Sequence, residues 1–498
     1  MTAKKILLGV ATAVVIGSMV IVGVVLAVVL TRQTGECSIR CVQEIFHYVF
    51  SKMPLITGLF SCIDTTTAST SSTTTVAPMV LSVYWSFENT PNDLNNTYNG
   101  SLNNDATYST AGSTSFPYFG ATQSLLLNGT SQFLWVSSPI FPLNFTSFTI
   151  EAWIYPSSLS SDRGIFAQCH CRGCTNQCLY FITRGNRLHI GFTSNDLTGS
   201  TILIINTWYH VAFVYNYQTQ QQILYVNGVQ DAIKSNAAPY QGTNGSVLIG
   251  SAQIFTNTYF FNGHIDNLAV ITRAKSANEV LDDASLIAYY PFDWPSPSAD
   301  KGPNGVLGSW SNMVTVTGRI NQGIRLIGST SSWFRINSLY QLPRGVVANR
   351  PFSLSLWINP TSSISSTFVQ LFSTTTAACD NFLGLYSFTG SNAQVFVQSV
   401  NNAPPQLIGP FVPQNAWTHI SVTFSTTNGY ILYFNGVYFG TTGSTTYAAS
   451  SSFANLFIGY TASCTGAGQN GVYQGSIDEV YVHNRELTQA DVTKLANP

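Results

Sequence analysis

The sequence predicts an all-β protein: two tandem antiparallel β-sandwiches that follow an N-terminal transmembrane helix and a short stem. Three observations carry this. Short segments alternate apolar and polar residues, as half-buried strands do. Gly-rich turns separate them, with Asn-Gly at hairpin positions. The same ordered series of segments occurs twice. Length agrees, because 498 residues exceed what one ordinary core holds.

Composition narrows the function classes. The formal net charge is −1, so the chain as a whole offers no electrostatic case for nucleic acid. Charged residues make up 8% of the chain, against roughly 25% in typical soluble domains. Solubility then rests on Ser, Thr, Asn, Gln and glycans. Aromatics at 13% with 38 Gly favour strands and turns over helices.

The elements follow in chain order. Residues 1–5 read as a cytoplasmic tail carrying Lys4 and Lys5. Ile6–Leu30 is an uncharged apolar run. As a helix it is ~37 Å long, enough to cross a ~30 Å hydrocarbon core. It is longer than the ~7–15 residue apolar region of a cleaved signal peptide, and no clear small-x-small site follows. The positive-inside rule leaves residues 31–498 outside. The expected placement is a single-pass type II protein of the plasma membrane with its large domain extracellular.

Residues 31–79 form the stem. Val42, Ile45, Phe46, Val49 and Met53 follow helical spacing within Val42–Phe60, and Pro54 ends or kinks the helix. Two readings stay open, a mini-core held by Cys37, Cys41 and Cys62 and a self-association or membrane-surface segment. Three stem cysteines leave an odd thiol, which suggests a disulfide-linked homodimer through the stem. Thr65–Thr75 (TTTASTSSTTT) is an extended spacer suited to O-glycosylation.

The first sandwich spans residues 80–286 and the second 287–498. Phe148–Ile154 (FTIEAWI) is echoed by Phe352–Ile358 (FSLSLWI), and Trp208–Val211 (WYHV) by Trp417–Ile420 (WTHI). Leu224–Gly228 (LYVNG) is echoed by Leu432–Gly436 (LYFNG), and Gly263–Asp266 (GHID) by Gly475–Asp478 (GSID). Four matches in order, roughly 200 residues apart, mean a duplicated domain and not a solenoid repeat. Each copy ends in a small helix opened by a capping box, Ser276 with Glu279 and Thr488 with Asp491. The first helix runs into Ile287–Phe292 (IAYYPF), which echoes the opening strand Val83–Phe87 (VYWSF). With almost no linker, the modules are expected at a fixed angle.

This ordered set resembles the laminin G-like jelly-roll family, within the concanavalin A-like lectin/glucanase superfamily, over residues ~80–498. The strands Asp266–Val270 (DNLAV) and Asp478–Val482 (DEVYV) belong to the resemblance. So does the turn Asp300–Gly305 (DKGPNG), from which the first copy departs at Asp93. The resemblance implies two packed antiparallel sheets of a dozen or so strands per copy. It implies a binding or adhesion protein that recognises an extracellular glycan or a matrix protein. It also implies a structural calcium, held by Asp266 with Glu88 and by Asp478 with Asp293. The competing reading is an Asp that bonds backbone amides in a turn.

A glycan-processing hydrolase without the usual carboxylate signature is one alternative, and a non-binding structural surface protein is another. Catalysis lacks support in the motifs. Glycoside hydrolysis needs two carboxyl groups on one cleft, but the E-x-D-x-x-E spacing of laminarinase-type relatives is absent. Glu151 on the Trp153 strand becomes Ser355 in the second copy. His210 and His419, each between Trp and an aliphatic residue, read as structural, and Trp153, Trp208, Trp357 and Trp417 as core. Cys169, Cys171, Cys174 and Cys178 suit two local disulfides better than a zinc knuckle, given their irregular spacing. Cys379 has Cys464 as its partner in the second copy. Asn95, Asn99, Asn128, Asn144 and Asn244 open N-glycosylation sequons, none of them in that copy.

Overall fold

The computed structural model describes residues 80–110, 123–339, 349–362, 366–373, 379–386, 393–398, 406–446, 454–459 and 472–498, and the backbone of 12–16 and 19–23. It divides into two units, Met1–Ala77 and Pro78–Pro498.

In the first unit, the transmembrane helix expected over residues 6–30 is overturned. Thr12–Ile16 and Met19–Gly23 pair instead as antiparallel strands. Among the described residues no helix is long and apolar enough to cross a membrane. The physical reason lies in the side chains. Val14, Val15, Ile16, Val20, Ile21 and Val22 are β-branched, and their stiff χ1 favours extended backbone. Apolar length alone did not separate a helix from strands. The plasma-membrane, type II, large-domain-extracellular placement rested on that helix and falls with it. The stem helix, Cys37, Cys41, Cys62 and the dimer built on them lie outside the described residues, as does Cys464.

The second unit holds two sandwiches of identical strand order, all antiparallel. The eight-stranded sheet of the first module runs Val229–Lys234, Gln221–Val226, Tyr209–Asn216, Phe148–Pro156, Asn262–Ile271, Gln123–Asn128, Thr107–Thr110, with Ser82–Trp85 also paired to Asn262–Ile271. Its seven-stranded sheet runs Asp196–Thr198, Arg187–Gly191, Cys178–Arg184, Arg163–Cys169, Val247–Ile249, Phe133–Val136, Ser101–Asn103. The second module repeats both. Its eight strands are Val437–Thr441, Gly429–Phe434, Thr418–Ser425, Phe352–Pro360, Gln474–His483, Gln322–Ile327, Met313–Thr317, with Leu286–Tyr290 on Gln474–His483. Its seven are Gln406–Phe411, Gln394–Gln398, Cys379–Tyr386, Ser366–Ser373, Ala454–Ile458, Trp333–Leu339, Gly308–Ser311.

The core of each module lies between its sheets. Phe148, Ile150, Ala152 and Ile154 point inward against Ile165, Phe181 and Phe192, and Leu354, Leu356 and Ile358 do the same in the second module. The alternate residues face outward, where a helix covers part of the eight-stranded sheet. These helices are α1 (Ala277–Ser285) and α2 (Gln489–Ala496), each closed by the capping box expected from sequence. The Asn-Gly hairpins have positive φ at both residues, at Asn227 and Gly228 and at Asn435 and Gly436. A Cβ on Gly228 would sit 2.7 Å from Leu281 Cα, and one on Gly436 2.8 Å from Ala496 Cβ. Each hairpin tip therefore packs on its own module's helix, and only Gly permits that approach.

Candidate functional site

The outer face of the first module's seven-stranded sheet carries a walled cleft. In Phe133–Val136 (FLWV), Leu134 and Val136 are buried in the core, so the pleat turns Phe133 and Trp135 outward. Trp135 remains 43% exposed. Registration places Ser101, Trp135, Leu248 and Ala167 in one row across four strands. Two covers make this a cleft and not an open sheet. On one side the hairpin Ser251–Ile254/Asn257–Phe260 packs Ala252 and Ile254 against Ala167, Tyr180 and Ile182. Beside it, Cys169–Cys178 and Cys171–Cys174 are disulfides that staple the loop between Arg163–Cys169 and Cys178–Arg184. The stapled loop brings the Arg172 guanidinium to donate to Gln253 Oε1.

The cleft measures about 430 Å³ and is lined by Asn103, Phe133, Trp135, Ala167, Cys169, Ser246, Leu248 and Gln253. Its floor is an indole beside aliphatic carbon, and its rim supplies two amides and a hydroxyl. None of these lining residues carries a carboxyl group. Such a set can stack an apolar ring face and exchange neutral hydrogen bonds with its substituents. It has no pair of carboxyl groups for acid–base chemistry.

The residues singled out from sequence sit elsewhere. Trp153 and Trp357 are buried, but on the outer face of the eight-stranded sheets, while Trp208 and Trp417 are half-buried. Trp153 packs edge-on to His210 at 5.3 Å, and Trp357 lies 5.2 Å from His419. Burial holds His210 down to about 3 and His419 to about 4, so both stay neutral. His419 Nε2 meets Ser355 Oγ at 2.8 Å, and His210 Nε2 lies 4.0 Å from Glu151 Oε2. Both histidines fill structural places. Glu151 is buried and paired with Lys275, which also bonds Asp283 of α1 at 2.8 Å.

The residues proposed for calcium are split by their donors. Asp478 is fully buried. Its Oδ2 accepts from the Arg319 and Ile320 amides at 2.7 and 3.0 Å, and its Oδ1 from the Glu479 amide at 2.9 Å. These three bonds are those of the competing reading, an Asp that accepts backbone amides in a turn, and they engage both carboxylate oxygens. Burial pushes it up to about 7 against the pull of those amides. Asp293 accepts from the Gln322 amide and the Asn321 side chain, and Glu88 from the Gln123 amide at 3.4 Å. Asp266 is buried and accepts from the Asn267 amide at 2.9 Å. Glu88 lines a second cleft of about 370 Å³ at the seam between modules, with Tyr84, Asn267 and the Gly302–Gly305 turn. Among the described residues no group of three or more His, Cys, Asp or Glu gathers to hold a metal.

Asp93 shows what the sequence comparison missed. It accepts from the Asn95, Thr97 and Tyr98 amides, as Asp300 does from those of Tyr289, Gly302 and Val306. The turn chemistry is shared although the letters around it are not. Asn95, Asn99, Asn128 and Asn244 are exposed and Asn144 is half-buried. Trp135 also escaped notice. Its signal was available in the FLWV strand, but four consecutive apolar letters do not say which two face out.

The laminin G profile of the concanavalin A-like lectin/glucanases superfamily matches residues 128–281 and 334–493. Among curated proteins, none matches the sequence. Among solved structures, domain 4 of AbnA, a GH43 extracellular arabinanase from Geobacillus stearothermophilus, in complex with arabinotriose, is similar at 20% identity and TM-score 0.33, covering 43% of this chain and 98% of that one. The binding domain of Paraclostridial Mosquitocidal Protein 1 is similar at 16% identity and TM-score 0.33, with 43% of this chain and 52% of that one covered. A heptameric SAP-like pentraxin from Limulus polyphemus is similar at 18% identity and TM-score 0.26, with 30% and 70% covered.

Proposed function

Starting from the fact that this chain belongs to the concanavalin A-like lectin/glucanase superfamily, with two laminin G-like copies, we propose that it is a binding protein whose first module takes a glycan in the Trp135 cleft. The observation that carries this is an indole left 43% exposed on the floor of a walled site. Leaving Trp135 in water forfeits burial that its neighbours Leu134 and Val136 obtain. A sugar ring recovers it, offering an apolar face to the indole and hydroxyls to Asn103, Ser246 and Gln253. The other reading, a matrix protein as partner, fits less well. Protein interfaces are broad, with about 800 Å² buried on each side, whereas this cleft is small and bounded.

A binding role is also favoured over hydrolysis by where the carboxylates lie. Glu151 is buried beside Lys275, and no carboxyl group lines the cleft. The test is a titration of the full chain against a panel of neutral oligosaccharides, with Trp135→Ala beside it. Truncating a central Trp typically costs about 2 kcal/mol, roughly thirtyfold in affinity. We expect that loss with an unchanged melting temperature. Equal affinity in wild type and variant, or no binding by wild type to any neutral sugar, would overturn the reading.

A further inference from the structure

The second module carries a different side chain at the place of Trp135, and the difference changes what the site can bind. Register fixes the correspondence. In the first module Trp135 stands opposite Ser101, one residue on from the Leu134–Ile249 pair. In the second, Arg335 stands opposite Ser309, one residue on from the Phe334–Ile458 pair. Phe334 and Ile336 are buried in the core, so Arg335 faces outward as Trp135 does.

Arg335 is held with unusual definition for a surface arginine. Its guanidinium carbon lies 5.3 Å from the Trp333 ring centroid and 5.6 Å from that of Phe457, and the two rings meet edge to face at 5.7 Å. Its Nε donates to Ser309 Oγ at 3.0 Å, and Asn337 Nδ2 donates to the same oxygen at 3.3 Å. The aromatic contacts and the single Nε bond fix the plane of the fork. Among the described residues the ion pairs engage other side chains, and the two Nη groups of Arg335 have no protein partner. The chain has 20 Lys and Arg against 21 Asp and Glu, so carboxylates are not scarce. A planar, oriented guanidinium with its outer edge open matches two oxygens of a carboxylate or sulfate.

Resting on the reading of the Trp135 cleft as a glycan site, we propose that the equivalent face of the second module binds an anionic sugar. Arg335 takes the acidic group bidentately, and Trp333 and Phe457 flank the ring that bears it. The two copies would then differ in ligand class, neutral in the first and acidic in the second.

The experiment measures binding of the full chain to three oligosaccharide sets of matched length: neutral, uronate-bearing and sulfated. Wild type, Arg335→Gln, Arg335→Lys and Trp135→Ala are compared, with melting temperature as the check on folding. Arg335→Gln is expected to lose at least tenfold in affinity for one acidic set or both and to keep the neutral set. Arg335→Lys keeps the charge but not the fork, so it should recover only part of the loss. The uronate and sulfate arms say which acid is preferred. Binding of acidic sugars by Arg335→Gln at wild-type affinity overturns the proposal, as does a wild type that binds neither acidic set. Failure of the neutral set alone removes the Trp135 reading and leaves the Arg335 result standing.

Discussion

At the scale of single residues, the duplication supplies an internal control. One position in each module is solved in two chemistries. In the first, Lys275 bridges Glu151 of the sheet and Asp283 of α1. In the second, Leu487 stands where Lys275 does and packs on Tyr433 and Val492. The backbone is held alike in both, since the Lys275 and Leu487 amides each donate 3.0 Å bonds to Thr149 and Ser353. Ser355 replaces Glu151 and bonds His419. Breaking a buried ion pair from one side costs about 3–5 kcal/mol, whereas replacing the whole pair by well-packed neutral groups is often neutral. Lys275→Leu should therefore lower unfolding free energy by roughly 3 kcal/mol, and adding Glu151→Ser should restore most of it. Urea denaturation of the two variants decides this, and equal stability of both would refute the ion-bridge account. The pH dependence has a defined sign. Burial pushes Glu151 up to about 7 from its ordinary 4.5. The folded state then holds a proton that the unfolded state has released, so this group's contribution falls as pH rises from 4.5 to about 7. The double variant should lack that slope.

At the scale of elements, the last strand of each module bends at its Asp. Registration slips between Ser355 and Trp357 opposite Gln474–His483, and Glu479 adopts φ +52°. Asp478 stabilises the bend by accepting three amides. Leaving buried donors unsatisfied costs about 1–3 kcal/mol each. Asp478→Ala should thus cost about 1–3 kcal/mol, chiefly through the buried Glu479 amide, and chelator should leave the melting temperature of wild type unchanged. A fall in melting temperature on chelation that Asp478→Ala abolishes would instead establish a bound cation. How much of this was legible depends on what the letters encode. Strict alternation in FSLSLWI and capping boxes at Ser276 and Thr488 state a local geometry directly, and the structure has those strands and helices. A run of apolar β-branched residues after Lys5 states only hydrophobicity, and there the helix expectation failed. Asp93 organises through backbone amides a turn equivalent to that of Asp300, although the letters around it lack the DKGPNG pattern. Trp135 and Arg335 lie in strands whose apolar letters do not say which residues face outward, so neither is marked by sequence alone.

At the scale of the whole molecule, the seam between modules links the two proposed sites. The helix α1 of the first module passes directly into Leu286–Tyr290, the opening strand of the second. Contacts cross back over that joint. Asn484 donates to the Ser285 and Ala284 carbonyls at 2.9 and 3.2 Å, and Arg485 Nε donates to Ser285 Oγ at 3.0 Å. Tyr84 Oη of the first module donates to the Pro303 carbonyl of the second at 3.3 Å. A joint with no spare residue and contacts on both sides restricts the angle between modules. That matters for a two-site binder, because the second binding event becomes intramolecular, at an effective concentration set by the connection. A stiff connection raises it when a ligand spans both sites and removes it when none can. We expect a polysaccharide that alternates neutral and acidic sugars to bind the full chain at least ~10²-fold tighter than matched fragments. Inserting a flexible Gly-Ser segment between Ser285 and Leu286 should erode that gain and leave fragment affinities unchanged. Calorimetry on both ligands separates these terms. An insertion that leaves the polymer's affinity untouched would mean that the sites act independently and that the seam serves stability alone.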